Sequence, residues 1–322
     1  MARRSRIPKS LPPLRRVLKD LLSLGPVPSE YVHRLLALAG HLKALRHQRK
    51  PHPRLAGRTI GLLFQKASTR TRVSFEVGMN QLGGQALFLP IGDIQLSRGE
   101  SVADTARVLS RYLDGLVIRT FDQAIVEEWA RESTIPIING LTDLHHPCQA
   151  LSDVMTIQEK KQRVKGIRLA YVGDGNNMAN SLIEAAVKVG MHISLGCPKG
   201  YQPDPAVVER ARQDAVHTGS TVELSEDPEL AVKDADAVYT DVWISMGQER
   251  EQARRLKAFS SYQVNERLMK RARPDAIVMH CLPAHRGEEI SAAVLDGPQS
   301  VVLDQAENRL HIQKAILVEL ID

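Results

Sequence analysis

At 322 residues, with 43% hydrophobic and 25% charged side chains, the chain has a globular composition and suits two domains of ordinary size rather than one core. No apolar run approaches the ~20 residues of a membrane span, and three scattered cysteines argue against a disulfide framework and for a reducing compartment. The net charge of +6 gathers near the N-terminus, and with aromatics at 4% it does not describe a stacking-based single-strand nucleic-acid binder.

The basic head, residues 1–19, holds many Lys and Arg and no acid. Pro8, Pro12 and Pro13 interrupt an amphipathic helix there. A solvated tail, a contact arm and a transit peptide all remain open, and the expected location is cytoplasmic. Beyond it the pattern predicts a helix over 29–49, then a strand at 57–64, a helix at 71–82, a strand at 86–89, a helix at 101–112, a strand at 115–119, a helix at 125–132 and a strand at 136–139. A long helix follows at 146–162.

A second series has strands at 168–172, 192–196, 237–240, 276–279 and 301–302, with helices at 178–189, 205–217 and 265–271 and a last helix over 308–320. Such alternation predicts an α/β fold of two open parallel-sheet domains, with helices on both faces and interdomain helices linking them. The expected division is 1–150 and 151–307, with 308–322 packing back onto the first domain.

In the first series, Ser68-Thr69-Arg70-Thr71-Arg72 sits where an apolar strand gives way to a helix. Two readings stand. One is plain capping by Ser68 or Thr69, with Arg72 pairing with Glu76 one turn on. The other is an anion site, in which the free N–H groups of the helix start, the hydroxyls and the Arg70 fork hold a phosphate. No Gly-Lys-Ser/Thr occurs in the chain, which excludes a Walker A loop.

In open α/β sheets ligands sit at the carboxyl ends of strands, so the polar residues there are the candidates. Arg119 closes Leu116-Val117-Ile118; His146 and Gln149 flank Pro147, which suits a first helical turn. Each alone has an ordinary reading, a salt bridge for the arginine and a cap or core hydrogen bond for the histidine. After the strand 168–172, Val172-Gly173-Asp174-Gly175-Asn176-Asn177-Met178 departs from a dinucleotide fingerprint at its sixth position, and the next strand lacks a ribose-binding acid, which disfavours a nicotinamide cofactor. Asp241 and Ser245-Met246-Gly247 follow the strand 237–240, and His280-Cys281-Leu282-Pro283 follows 276–279. Neighbouring His and Cys on an extended segment point apart, and His285 is the only further ligand at hand, so no metal is expected.

Together these segments resemble the carbamoyltransferases, and within them the ornithine carbamoyltransferases, from about Leu55 onward. Ser68-Thr69-Arg70-Thr71 and His146-Pro147-Cys148-Gln149 resemble motifs shared with the aspartate branch. Asp241-Val242-Trp243-Ile244-Ser245-Met246-Gly247 and His280-Cys281-Leu282-Pro283 resemble the ornithine branch, whose acidic, thiol-bearing pocket suits a cationic amine. The resemblance implies carbamoyl phosphate at Ser68, Thr69, Arg70, Thr71, Arg119, His146, Gln149 and Arg309, with Gln95 supplied by a neighbouring subunit. It implies L-ornithine at Asn177, Asp241, Ser245 and Met246, with Cys281 and Leu282 between the two substrates. Arg119, His146 and Cys281 are the catalytic residues it implies, no cofactor is needed, and the assembly is a homotrimer or a multiple of trimers. Transfer to putrescine or an N-acylated ornithine, and an idle ornithine-binding regulator, are the competing expectations.

Overall fold

The computed structural model describes residues 18–322. The basic head therefore lies outside the described residues, apart from its last two positions.

The first series runs α1 (Ser29–His47), β1 (Thr59–Phe64), α2 (Thr69–Gln81), β2 (Gln85–Pro90), α3 (Val102–Leu109), β3 (Gly115–Arg119), α4 (Gln123–Glu132), β4 (Ile137–Leu141) and α5 (Pro147–Lys161). Short 3-10 turns at Ile91–Asp93 and Gln95–Arg98 bridge β2 and α3. The strands form one parallel sheet in the order β2-β1-β3-β4. Apart from Thr59 and Arg119 at their ends, β1 and β3 are apolar and buried on both faces, as strands under helices on either side must be.

The second series runs β5 (Arg168–Val172), α6 (Asn177–Lys188), β6 (His192–Gly196), α7 (Pro205–Thr218), β7 (Val222–Ser225), α8 (Pro228–Val232), β8 (Ala237–Thr240), α9 (Gln252–Phe259), α10 (Glu266–Met269), β9 (Ile277–His280), α11 (Ala292–Leu295) and α12 (Val302–Ile321). Its parallel sheet has the order β7-β6-β5-β8-β9. α12 then returns to pack against α1, α2 and α5. An apolar core runs through both sheets, carried across by α5 and α12.

The expected α/β class with two open parallel sheets is what the chain forms. One expected strand is not there: a single bridge, Val278 to Ser300, lies just before 301–302, and α12 begins at Val302, well before the expected 308. The Val301 N–H bonds to the Val278 carbonyl while its own carbonyl accepts from Gln305 N–H, so the residue that ends the bridge already starts the helix. β7 was not anticipated. It is an edge strand in which Glu223 and Leu224 are both exposed, so it carries little apolar signal.

Each sheet has one point where the strand order reverses, and open α/β sheets place ligands there. In the first sheet it lies between β1 and β3, where Phe64 pairs with Arg119. In the second it lies between β5 and β8, where Val172 pairs with Thr240. The turn after β5 needs its glycine for a local reason: a Cβ on Gly175 would stand 2.2 Å from the Pro203 nitrogen. The close approach that glycine permits is taken up by the chain itself, with the Gly175 N–H bonded to the Tyr201 carbonyl at 2.8 Å.

Candidate active site

α2 starts at the end of β1, and its N-cap is Ser68, whose hydroxyl oxygen accepts from the Thr71 N–H at 3.2 Å and whose hydroxyl donates to Thr71 Oγ1 at 3.0 Å. The expected Arg72–Glu76 pair forms at 2.9 Å on the outer face. Capping thus occupies Ser68, while Thr71, fully buried, also accepts from Arg309 Nη2 at 2.5 Å. That bond brings α12 to the start of α2.

Arg70, Arg119 and Arg309 converge on this point. None of them makes an ion pair with a carboxylate among the described residues, although Arg119 and Arg309 are buried. Arg70 gives one nitrogen to the Leu282 carbonyl, across the gap between the two sheets. The Nε atoms of all three are buried without a partner. Burial, then Arg309 and Arg70, bring the Arg119 guanidinium down to about 10. Arg309 is lowered by burial and then by Arg70. Crowded, desolvated cations of this kind are unfavourable until an anion joins them.

His146 is the N-cap of α5, with Pro147 in the first turn as expected. Its backbone N–H donates to Ser181 Oγ at 2.7 Å, which ties it to α6. Burial, then Arg309, Arg119 and Arg70, hold its imidazole well below the ordinary value, so it is neutral at physiological pH, and Nδ1 has no partner. Gln149, also fully buried, donates through Nε2 to Asp153 Oδ1 at 2.8 Å, and its Oε1 has no partner.

The second sheet supplies the opposite wall. Asp241 follows β8 and is buried; its Oδ2 accepts from Asn176 Nδ2 at 2.9 Å and its Oδ1 from the Cys281 thiol at 2.9 Å. Burial and then Asp241 push the thiol well above its ordinary value. His280, just before it, receives the Leu282 N–H on Nδ1 at 2.8 Å, so Nε2 carries the proton and donates to buried Glu289 at 3.0 Å. With both ring nitrogens committed, His280 has no lone pair left for a metal, although Asp241, His280 and Cys281 are within ligating reach of one another. Leu282 takes a left-handed backbone, φ 59°, to make this turn.

The structure therefore brings Ser68, Arg70, Thr71, Arg119, His146, Gln149 and Arg309 to one side and Asp241, Cys281 and Leu282 to the other. Thr69 is exposed in the first turn of α2. Asn177 is half-buried and spends its Nδ2 on the Thr142 carbonyl at 2.5 Å. Ser245 and Met246 lie on the loop after β8, Met246 exposed and the Ser245 N–H bonded to Gln248 Oε1 at 3.0 Å. Gln95 stands apart, exposed on its 3-10 turn. Sequence reasoning passed over Ser181, Gln305 and Asp153 as actors; for Asp153 the signal was its place one helical turn after Gln149. Lys66 was also missed: buried beside the site, it pairs with Asp143 and lies 4.1 Å from the Phe121 ring.

Both halves of the chain match family models: 19–159 the aspartate/ornithine carbamoyltransferase carbamoyl-P binding domain, and 165–320 the Asp/Orn binding domain of the same family. An ornithine carbamoyltransferase from Syntrophus aciditrophicus is 57% identical over 303 residues, covering 94% of this chain and 99% of the relative. One named as anabolic, from Pyrococcus furiosus, is 54% identical over 93% of this chain and 95% of its own length. The solved structure of an ornithine carbamoyltransferase from P. furiosus superposes with a TM-score of 0.91 at 53% identity, covering 94% of this chain and 97% of that one. Neighbouring residues in the site, the two sheets that hold them and these matches agree, and the chain belongs to the aspartate/ornithine carbamoyltransferase family.

Proposed function

We propose that the chain transfers the carbamoyl group of carbamoyl phosphate to the δ-amine of L-ornithine, giving L-citrulline and phosphate. The observation that carries this reading is the convergence of Arg70, Arg119 and Arg309, without carboxylate partners among the described residues, on the hydroxyl-rich start of α2. A dianionic phosphate is the charge that such a group of cations lacks.

In this reading the phosphoryl oxygens meet Ser68, Thr69, Arg70, Thr71 and Arg309. The carbamoyl oxygen meets Arg119 and His146. A neutral imidazole polarises that oxygen as a hydrogen-bond donor without releasing a full proton, and the guanidinium stabilises the charge that grows as the amine attacks. The tetrahedral intermediate then expels phosphate onto Arg70 and the helix start. No metal or organic cofactor enters, because the leaving group is already activated.

Ornithine lies against Asn177, Asp241, Ser245 and Met246, with Cys281 and Leu282 between the two substrates. Both oxygens of buried Asp241 are already oriented by neighbours, which supports it as the anchor for the amine. The attacking amine must be neutral, and a lysine-like amine has a pKa of ~10.4, so orientation and desolvation by this wall promote loss of its proton. Cys281, held protonated, serves as a donor in this scheme and not as the base.

The same reading makes the enzyme cytoplasmic, biosynthetic in the arginine direction and a homotrimer or a multiple of trimers, in which Gln95 reaches the site of a neighbouring copy. It divides the chain at 150/151, with 308–322 returning to the carbamoyl phosphate side. Citrulline formation from carbamoyl phosphate, assayed with ornithine, putrescine and N-acetylornithine side by side, tests the reaction. A preference for either of the other amines, or no product with ornithine, overturns it. Mass measurement of the native assembly tests the trimer.

A further inference from the structure

Gln149 has two chemically different ends and only one of them suits a carbamoyl NH₂. Its Nε2 donates to Asp153 Oδ1 at 2.8 Å, and its Oε1 is buried with no partner. Burial brings the Asp153 carboxyl up to about 7, but Oδ1 already accepts from two amide NH₂ groups and any proton belongs on the unpartnered Oδ2, so Oδ1 still fixes the Gln149 amide with its NH₂ toward Asp153. That leaves the carbonyl end for a donor, and the carbamoyl amino group is a donor. Had a hydroxyl or an amide stood at 153, both orientations of Gln149 would be open.

Asp153 is fully buried and serves a second amide in the same way. Gln305 Nε2 donates to the same Oδ1 at 2.8 Å and also lies 3.2 Å from the Tyr239 hydroxyl. Gln305 Oε1 then accepts the His280 backbone N–H at 3.0 Å, and Ser152 Oγ donates to the Gln305 carbonyl at 3.0 Å. A continuous buried chain of hydrogen bonds thus runs from Gln149 through Asp153 and Gln305 to the residue that precedes Cys281. One carboxylate oxygen orients an amide on each side of the site.

We propose that Asp153 is a positioning residue: its Oδ1, accepting from both Gln149 and Gln305, presents the Gln149 carbonyl to the amino group of carbamoyl phosphate and, through Gln305, holds the turn bearing Cys281 in register with it. The proposal rests on the carbamoyl phosphate reading above and adds to it the feature by which the site recognises NH₂. Acetyl phosphate, which carries a methyl group where carbamoyl phosphate has NH₂, isolates that feature, and inorganic phosphate reports on the anion site alone.

The test compares binding of carbamoyl phosphate, acetyl phosphate and inorganic phosphate to the full chain and to Asp153→Leu and Asp153→Asn, alongside citrulline kinetics. Wild type is expected to bind carbamoyl phosphate about 10-fold or more in preference to acetyl phosphate, as loss of one donor–acceptor pair at a buried site implies. Asp153→Leu is expected to bring that ratio close to one and to lower kcat, with the affinity for inorganic phosphate within about threefold of wild type. Asp153→Asn, whose amide leaves both orientations of Gln149 open, is expected to lower the ratio part-way toward one, which serves if the leucine variant does not fold. An unchanged ratio in Asp153→Leu, or in Asp153→Asn if the leucine variant does not fold, overturns the positioning role, as does loss of phosphate binding along with the ratio. A wild-type chain that forms no citrulline overturns the parent reading instead, so the two failures are distinct.

Discussion

The Cys281 thiol donates to Asp241 Oδ1 across 2.9 Å, joining the turns that follow β9 and β8. Burial and the neighbouring carboxylate hold the thiol well above its ordinary value, so near neutrality it carries no thiolate for alkylation. Iodoacetamide at pH 7.5, read by peptide mass mapping, is expected to modify Cys281 about tenfold or more slowly than a free thiol, and Asp241→Asn to accelerate it. Cys281→Ala is expected to lower kcat/KM for ornithine by about 10- to 100-fold, mostly through KM, since a hydrogen bond to a charged group is lost. An unchanged kcat/KM and pH profile would remove the cysteine from the reaction.

Arg309 illustrates a conflict between binding and stability. It sits buried among like charges with Thr71 as its hydroxyl partner. Arg309→Met is expected to cost at least about 100-fold in kcat/KM for carbamoyl phosphate. In the ligand-free protein the same change relieves repulsion, so Tm without phosphate should be unchanged or a few degrees higher. Calorimetry with and without phosphate separates the two effects; a large loss of Tm without ligand argues that Arg309 is chiefly structural.

Lys314, further along α12, is buried with His52 Nε2 at 3.2 Å and Gln81 Oε1 at 3.0 Å as partners. Burial, then Arg46, bring its amine from 10.5 down to about 8. Between those two values the unfolded chain binds the proton that the native chain has released, so this group makes stability rise with pH from about 8 to about 10.5. Denaturant titrations across that range should show the slope, and Lys314→Met, which keeps the volume, should flatten it and raise stability near neutrality.

Ser181 tests the grip of α6 on the segment that carries His146. Ser181→Ala leaves the His146 N–H buried without an acceptor, a loss of about 1–3 kcal/mol. A lower Tm and a lower kcat are both expected, and Ser181→Thr, which keeps an oxygen, should restore most of each. If alanine lowers Tm with kcat intact, the contact holds the fold but not the catalytic geometry.

The pattern of apolar runs and breaks was enough to expect two parallel sheets, because β1, β3, β5 and β8 are buried on both faces and read as short continuous apolar stretches. Pro147 marked its helix start by residue type, and Ser68 was one of two candidate caps with Thr69. What remained hidden depended on contacts distant in sequence. Arg309 has no local signature of function; only the packing of α12 onto α2 makes it part of an anion site, and it was reached through family resemblance. Gln305 likewise looks like any polar helical residue until Asp153 and His280 are seen on either side of it. Residues 301–302 have strand-like side chains, but the pairing with Val278 ends in a single bridge at Ser300 before α12 begins.

The bond between Thr71 and Arg309 spans 238 positions of chain. During synthesis the strands, the caps and most of the pocket can form while the last helix is still unmade, yet the third guanidinium cannot be present. A chain cut short before α12 therefore lacks one of the three converging guanidiniums and leaves the faces of α1, α2 and α5 that α12 covers open. The third guanidinium and the cover over α1, α2 and α5 therefore arrive on one helix, α12.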